Sequence, residues 1–457
     1  MSTFLVNLDN TIVNVALPGI RTQLHPSVSG LQWIVDSYLM TLAALLILSG
    51  SLGDRFGRRR VFGIGLVTFA FGSLLSSLAP STGWLVGFRI VQAVGASMLN
   101  PVGMSIISNI FVQPRARAKA FGVWGAAVGL GMASGPVLGG LLVQAWGWRS
   151  VFWTSVPLAL AVAVCARVFM PESRSPVHRK PDLIGQALVF VLLAGVIFTV
   201  IELPRLGAGS ARIHGGLAVV VISAVALGVV ERRREAPLID FRFFRSIPFS
   251  VSMLIAVLTY AAMGGFLFLN TIYLQDVRGY PPLRAGLYTL PMALGTVAGA
   301  QLAGLLVRTR GTMVALATAG ASVAVAAAIT GTVIGTDSSL LLLAGYVLLG
   351  LGFGCANTPV NNTAMAGMPR SRAGVAGALA SSSRQVGQSL GVAVFGAFAG
   401  LGVGVGGNRS AAFAAASLPG WCVITGTGLA IIALGIVASG QGARRSAERV
   451  AADLEEQ

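Results

Sequence analysis

Gly50-Ser51-Leu52-Gly53-Asp54-Arg55-Phe56-Gly57-Arg58-Arg59-Arg60 is a basic turn punctuated by glycine. It lies between two apolar runs, Gln32 to Ser49 and Val61 to Leu78, in which Asp36 is the one charged residue. A helix needs about 20 apolar residues to cross about 30 Å of hydrocarbon. Both runs come close to that length, so the turn joins two membrane spans. The rest of the chain reads the same way. Hydrophobic residues make up 55% of the 457, charged residues 10%, and the mean hydropathy is +0.80, which excludes a water-soluble chain with a polar surface.

Apolar runs and the polar breaks between them predict about fourteen spans, centred near Ile12, Leu42, Phe69, Val94, Leu130, Leu160, Leu193, Val221, Tyr260, Leu294, Val323, Leu349, Leu390 and Ile431. The predicted fold is all-α and integral to the membrane, with six plus two plus six spans. Residues 1-172 form one six-helix bundle and 245-440 a second. Residues 173-244 hold linkers and a two-helix insert, and 441-457 form a cytoplasmic tail read as a short solvated helix. A faint repeat links the two large blocks. Gly304-Leu305-Leu306-Val307-Arg308-Thr309-Arg310-Gly311 follows the second span of the second block as the Gly50 turn follows that of the first, without its Asp and with fewer Arg. Repeated halves place a substrate path near the midplane, opened alternately to each side.

The net charge of +17 would suggest nucleic acid if it lay on one soluble face. Its distribution says otherwise. With the first span starting in the cytoplasm, 23 Lys and Arg fall in cytoplasmic loops and the tail, and seven on the opposite side. The remaining two, Arg89 and Arg384, lie inside spans. This is the positive-inside pattern, and it predicts a multi-pass protein of the cytoplasmic membrane with both termini in the cytoplasm and no nucleic-acid partner. Trp33, Trp84, Trp146 and Trp148 fall at outer loops, where indoles favour the headgroup layer. Trp124, Trp153 and Trp421 read as packed between helices. The first apolar stretch contains Asp9 and has no basic lead, so it reads as a retained span and not a cleavable signal. Its beginning almost at Met1 leaves open a start codon upstream.

Enzyme chemistry is not indicated. His25, His178 and His214 all fall in loops, and Cys165, Cys355 and Cys422 are scattered through apolar runs as small core residues, so no metal site is expected. Lys119 and Lys180 are the two lysines, and neither lies in a phosphate-cradling loop. No cofactor is expected, and transport has to draw on an ion gradient, with protons favoured.

The residues that carry function are the charges inside spans. A guanidinium within lipid costs about 2.5–3.5 kcal/mol on insertion scales, so Arg89 needs a carboxylate or water. Asp9 lies about 12 Å along its helix from Met1, Asp36 about 8 Å below the outer end of span two, and Arg89 about 9 Å below that of span four. Asp36 and Arg89 are thus at similar depth, with Asp9 deeper. A proton carrier has to be a carboxyl whose protonation depends on which side it faces, held beside a cation. Asp9 and Asp36 suit that task. In span five, Gly131, Gly135 and Gly139 recur on one face and permit close helix contact, and Pro136 bends the helix.

These segments together resemble a major facilitator superfamily transporter of the fourteen-span drug:proton antiporter type, over nearly the whole length. The turn with Gly50, Gly53, Asp54, Arg55, Gly57, Arg58 and Arg59 resembles the loop two-three signature, which implies a cytoplasmic charge latch. A helix start near Arg372 is the expected partner of Asp54. Arg89-Ile90-Val91-Gln92-Ala93-Val94-Gly95-Ala96 is similar to the motif built around one buried arginine. Leu8-Asp9-Asn10-Thr11-Ile12-Val13-Asn14-Val15-Ala16-Leu17-Pro18 and Gln32-Trp33-Ile34-Val35-Asp36-Ser37-Tyr38 resemble the first two spans of this group. That resemblance links Asp9 and Asp36, with Arg89, to proton coupling and cation recognition, and makes Asn14, Gln92 and Arg384 cavity candidates. Gly131, Gly135, Pro136, Gly139 and Gly140 match the antiporter motif, which implies exchange.

The chain departs from the group in two places. Span thirteen, which carries Arg384, has no acid, and the loop Gln113-Pro114-Arg115-Ala116-Arg117-Ala118-Lys119 has none before its arginines. The function implied is proton-coupled export, by alternating access, of small lipophilic or cationic molecules, with a monomer as the default state. Export of one endogenous metabolite or natural product is the alternative, and a non-transporting membrane sensor a remoter one. Glu202, near an outer helix end, reads as an interfacial residue.

Overall fold

The computed structural model describes residues 1–111, 113–174, 182–234, 240–334, 338–366, 373–402 and 409–455. The described residues form helices and no strand. In chain order these are α1 (Ser2–Leu24), α2 (Val28–Phe56), α3 (Arg58–Ser77), α4 (Thr82–Ile110), α5 (Pro114–Trp146), α6 (Ser150–Phe169), α7 (Leu183–Leu206) and α8 (Ala211–Arg232). There follow α9 (Ile247–Ile272, extended by a π-helical turn Tyr273–Val277), α10 (Pro282–Arg310), α11 (Thr312–Val333), α12 (Ser339–Met365), α13 (Ala373–Gly402), α14 (Arg409–Ser439) and α15 (Gln441–Glu455).

Among the described residues twelve helices are long and apolar enough to cross a membrane. Two of the predicted spans, α1 and α13, are helices but do not belong to the twelve. The reason is visible for α1, which carries Asn7, Asp9, Asn10, Thr11 and Asn14 and buries most of its length against protein. A helix screened from lipid needs no continuous apolar surface.

Local chemistry sets the ends. Ser27 accepts from Gly30 N and starts α2, and Asp182 accepts from Gly185 N at 2.8 Å and starts α7. Gly57, at φ 107°, and Gly311, at φ 89°, each end one helix and start the next within a single residue. Only glycine takes that backbone conformation readily. The two halves of the sequence repeat thus share the same one-residue turn.

Contacts divide the chain into two compact units, Met1–Leu238 with Tyr280–Leu287, and Ile239–Gly279 with Tyr288–Gln457. Within the first, α1 packs on α5, α2 on α4, and α3 on α4 and α6. Within the second, α9 packs on α13 and α11 on α12 and α14, while Gly295 and Gly299 lie against the backbone of α12. The second pattern is the first shifted by eight helices. The insert α7–α8 belongs to the first unit, where α7 lies on α2. Gln186 Nε2 donates to the Ala44 carbonyl, and Trp33 Nε1 donates to Glu202 Oε1 at 3.3 Å.

Four expectations change. Trp148 is fully buried, donating to Gln23 Oε1 at 2.8 Å, so it does not sit at the headgroup layer, while Trp153 is exposed and not packed between helices. An indole near a helix end can be held by a neighbouring amide as readily as by the interface. Cys355 is buried, but Cys165 and Cys422 are exposed. The tail helix α15 is not fully solvated: Ala443, Ala447 and Val450 form a buried stripe, and Ile247 N donates to Ser446 Oγ at 3.1 Å.

The α1–α5 contact depends on glycine. A Cβ at Gly139 would lie 2.7 Å from Ile12 Cγ1, one at Gly131 2.6 Å from the Phe4 carbonyl, and one at Gly135 would overlap the Thr11 side chain. Gly125, in the same helix, has open space. Gly135→Ala is expected to destabilise the protein by about 1–3 kcal/mol through overpacking, and Gly125→Ala to leave it unchanged, as read by thermal unfolding of the purified protein in detergent.

Candidate functional site

The first unit encloses a charged cluster where α1, α2, α3 and α4 meet. Arg89 is 1% exposed and Asp9 0%. Arg89 Nη1 donates to Asp9 Oδ2 at 2.7 Å and to Gln92 Oε1 at 2.7 Å. Gln92 Nε2 in turn donates to Asp9 Oδ1 at 2.8 Å and to Ser73 Oγ at 2.7 Å. Both carboxylate oxygens of Asp9 are therefore engaged by one helix, α4, from positions three residues apart. Such positions share a helix face.

The cation is held from its other side by α2. Arg89 Nε donates to the Ile34 carbonyl at 3.3 Å, and Cζ lies 4.0 Å from the centre of the Tyr38 ring. A cation over a ring face is attracted by the aromatic quadrupole. Asp36, between Ile34 and Tyr38, is fully buried. The depth estimate set Asp36 level with Arg89, yet the ion pair is made with Asp9, which the long guanidinium arm reaches.

Backbone packing positions the cluster. A Cβ on Gly72 would meet Gln92 Cα at 2.6 Å, so α3 and α4 touch there and Ser73 comes within reach of Gln92. Ser73 and Tyr38 were not singled out from sequence, because a Ser or Tyr in an apolar span carries no distinguishing signal. Nearby on α1 and α2, Asn10 Oδ1, Asn14 Oδ1, Tyr38 OH and Thr41 Oγ1 are buried with no hydrogen-bond partner among the described residues. Asn14 Nδ2 donates only within its own helix, to the Asn10 carbonyl at 3.1 Å. Buried polar groups in this number call for water or a ligand.

At the Gly50 to Arg60 turn, Asp54 pairs with Arg58 at 2.8 Å within the same segment. Arg372 lies outside the described residues. The turn is tied instead to the end of α6: Arg59 N donates to Glu172 Oε1 at 3.1 Å, Arg58 N to the Ser173 carbonyl at 2.9 Å, and Arg59 and Arg60 each lie 3.8 Å from Glu172 Oε2. Gly57 admits this carboxylate, since a Cβ there would sit 2.7 Å from it. Glu172 was missed from sequence, although it is the only acid between Asp54 and Asp182 and follows an apolar run. Glu202 is buried and bound by Trp33 and by Arg205 at 3.5 Å. Arg384, in the second unit, donates to Asn361 Oδ1 and Ser381 Oγ. Gly140 and Pro136 are on α5 with the other glycines of the predicted antiporter motif.

Removing one partner of a buried ion pair strands the other charge. Arg89→Gln is expected to destabilise the protein by about 3–5 kcal/mol, read as a lowered unfolding temperature in detergent. The double variant Asp9→Asn, Arg89→Gln should recover most of that loss. A double variant no more stable than Arg89→Gln would speak against the pair as the source.

Comparison with known proteins sets this geometry among transporters. Multidrug resistance protein Stp of Mycobacterium tuberculosis is 34% identical over 396 residues, covering 87% of this chain and 74% of Stp. The tetracenomycin C resistance and export protein of Streptomyces glaucescens is 34% identical over 406 residues, with coverage of 87% and 74%. A crystal structure of a bacterial homolog of the human lysosomal transporter Spinster, inward-facing and occupied, shares the fold with a TM-score of 0.67. It is 18% identical, over 97% of this chain and 95% of that one. The family model described as Major Facilitator Superfamily matches residues 1–392, and with the helical fold and its repeated packing this establishes that the chain belongs to that superfamily.

Proposed function

We propose that this protein is a proton-coupled exporter of small lipophilic molecules, working by alternating access in the cytoplasmic membrane with both termini in the cytoplasm. Its fourteen spans are α1 to α14, in two six-helix bundles, 1-172 and 245-440, with the insert and its linkers at 173-244 and a tail at 441-457. The observation that carries this reading is the fully buried Asp9, joined to Arg89 and Gln92, in a chain similar to drug-export proteins.

The chemistry follows from the cluster. Ionised, Asp9 is neutralised by Arg89 and holds α1 against α4. On taking a proton it loses the charge that binds the guanidinium, and Arg89 keeps the Ile34 carbonyl, Gln92 and the Tyr38 ring. The α1–α4 contact then loosens while the α2–α4 contact stays. Proton loading from the outer side and release to the cytoplasm, each tied to one conformation, drives substrate the opposite way. Asp36, two residues from both Ile34 and Tyr38 on α2, tunes the same cation. The Gly50 to Arg60 turn with Glu172 acts as a cytoplasmic latch, and no cofactor is needed because the proton gradient supplies the energy. Export of a single natural product is the second reading, favoured by the likeness to the tetracenomycin C export protein.

The test uses inverted membrane vesicles energised by a proton gradient, with ethidium and fluorescein as probes. Wild type should accumulate at least one probe while dissipating the gradient. Asp9→Asn should abolish coupled accumulation at normal expression. Wild type that moves neither probe nor protons, or Asp9→Asn that still couples them, contradicts the reading.

A further inference from the structure

Arg384 carries its charge near the middle of α13 with no carboxylate paired to it among the described residues. Its Nη1 donates to Asn361 Oδ1 at 2.9 Å and its Nη2 to Ser381 Oγ at 2.8 Å, and both acceptors are neutral. Among the described residues it makes no ion pair. The sequence explains why. Between Ile247 and Ser439 the only acids are Asp276 and Asp337. Asp337 falls between α11 and α12, outside the described residues. Asp276 lies in the π-helical turn, about 24 Å along the helix from Tyr260.

Tyr260 belongs to the same depth as Arg384: it is about 20 Å along α9 from Ile247, and Arg384 is about 17 Å along α13 from Ala373. The two helices touch backbone to backbone beside Arg384, because a Cβ on Gly387 or Gly391 would run into the carbonyls of Val257 and Ala261. Asn357 Nδ2 donates to Tyr260 OH at 3.2 Å, and Gln385 Oε1 is buried without a hydrogen-bond partner. A half-buried guanidinium is thus set among amides and hydroxyls from α9, α12 and α13.

The first unit meets the same problem differently, pairing Arg89 with Asp9 at 2.7 Å. An intramembrane cation is costly and pairs with an anion or faces water. Among the described residues the spans of the second unit supply no anion of their own, which leaves this half-buried guanidinium open to an anion that arrives from outside the unit. We infer that Arg384 is a specificity-determining residue that binds an acidic group of the exported molecule, so that the substrate class is an apolar body bearing a carboxylate or ionised phenol. Asn361 and Ser381 hold the guanidinium in place, and Asn357 and Tyr260 offer further polar contacts. This rests on the exporter reading for the word exported, but the binding site itself does not require proton coupling.

The experiment is equilibrium binding to the purified full-length protein in detergent, with fluorescein as the anionic aromatic probe and ethidium as the cationic one. Wild type should bind fluorescein more tightly than ethidium. Arg384→Gln should weaken fluorescein at least tenfold and leave ethidium unchanged or tighter, and Arg384→Lys should lose less. Asn361→Asp supplies an internal carboxylate to Arg384 without removing the arginine, and should produce the same selective loss in a protein that keeps its fold. Equal effects on both probes, or no effect of Asn361→Asp on fluorescein, would overturn the inference, as would wild type that prefers ethidium. Arg384-dependent fluorescein binding in a protein that couples no protons would leave this inference standing and remove the proton-coupled reading instead.

Discussion

The buried pair of Asp9 and Arg89 is the constraint on which the first unit depends. Two full charges away from water are tolerable only together, and here four helices converge to keep them so. α1 supplies the carboxylate, α4 the guanidinium and the bridging Gln92, α3 the Ser73 hydroxyl, and α2 the Ile34 carbonyl and Tyr38 ring. Gly72 on α3 brings that backbone against α4 so that Ser73 reaches Gln92, and the glycines of α5 hold α1 close. Close approach through small residues is how membrane helices associate where lipid removes the hydrophobic driving force between them. The arrangement that stabilises the bundle is also the one on which the proposed proton step acts, since protonating Asp9 would remove half of the pair.

The repeated architecture sharpens the contrast between the units. Their helices pack in the same order, and both use a one-residue glycine turn after the second helix, at Gly57 and Gly311. Yet the turn in the first keeps Asp54, four arginines and a docked Glu172, while that in the second has lost the acid. Inside the membrane the first unit has acids and a paired arginine, and the second has Arg384 with neutral partners. One scaffold thus carries two electrostatic characters, a buried ion pair in one unit and a cation among neutral partners in the other.

Much of this was legible in the sequence, because hydropathy and positive loops follow directly from the bilayer as solvent. Asp9 and Arg89 stood out since a charge in a span is expensive. The glycines of α5 stood out through their spacing of four. What stayed hidden were features with more than one physical solution. Trp148 could sit in the interface or be bound by Gln23, and the structure buries it. Arg89 could reach either acid, and depth along ideal helices did not capture the length of its side chain. Ser73 and Tyr38 look like ordinary residues of apolar spans. The docking of Glu172 depends on α6 ending beside the Gly50 turn, a tertiary fact that no local pattern encodes.

The central claim is that Asp9 is the group that takes up and releases the coupled proton. Difference infrared spectroscopy of the purified protein between acidic and alkaline pH reads the carbonyl stretch of a protonated carboxyl directly. The account predicts a carboxyl band that appears on acidification, is missing in Asp9→Asn and shifts in Gln92→Leu. A wild-type spectrum in which no such band depends on Asp9 would mean that the Arg89 pair is a permanent structural bridge, and would contradict proton coupling through this cluster.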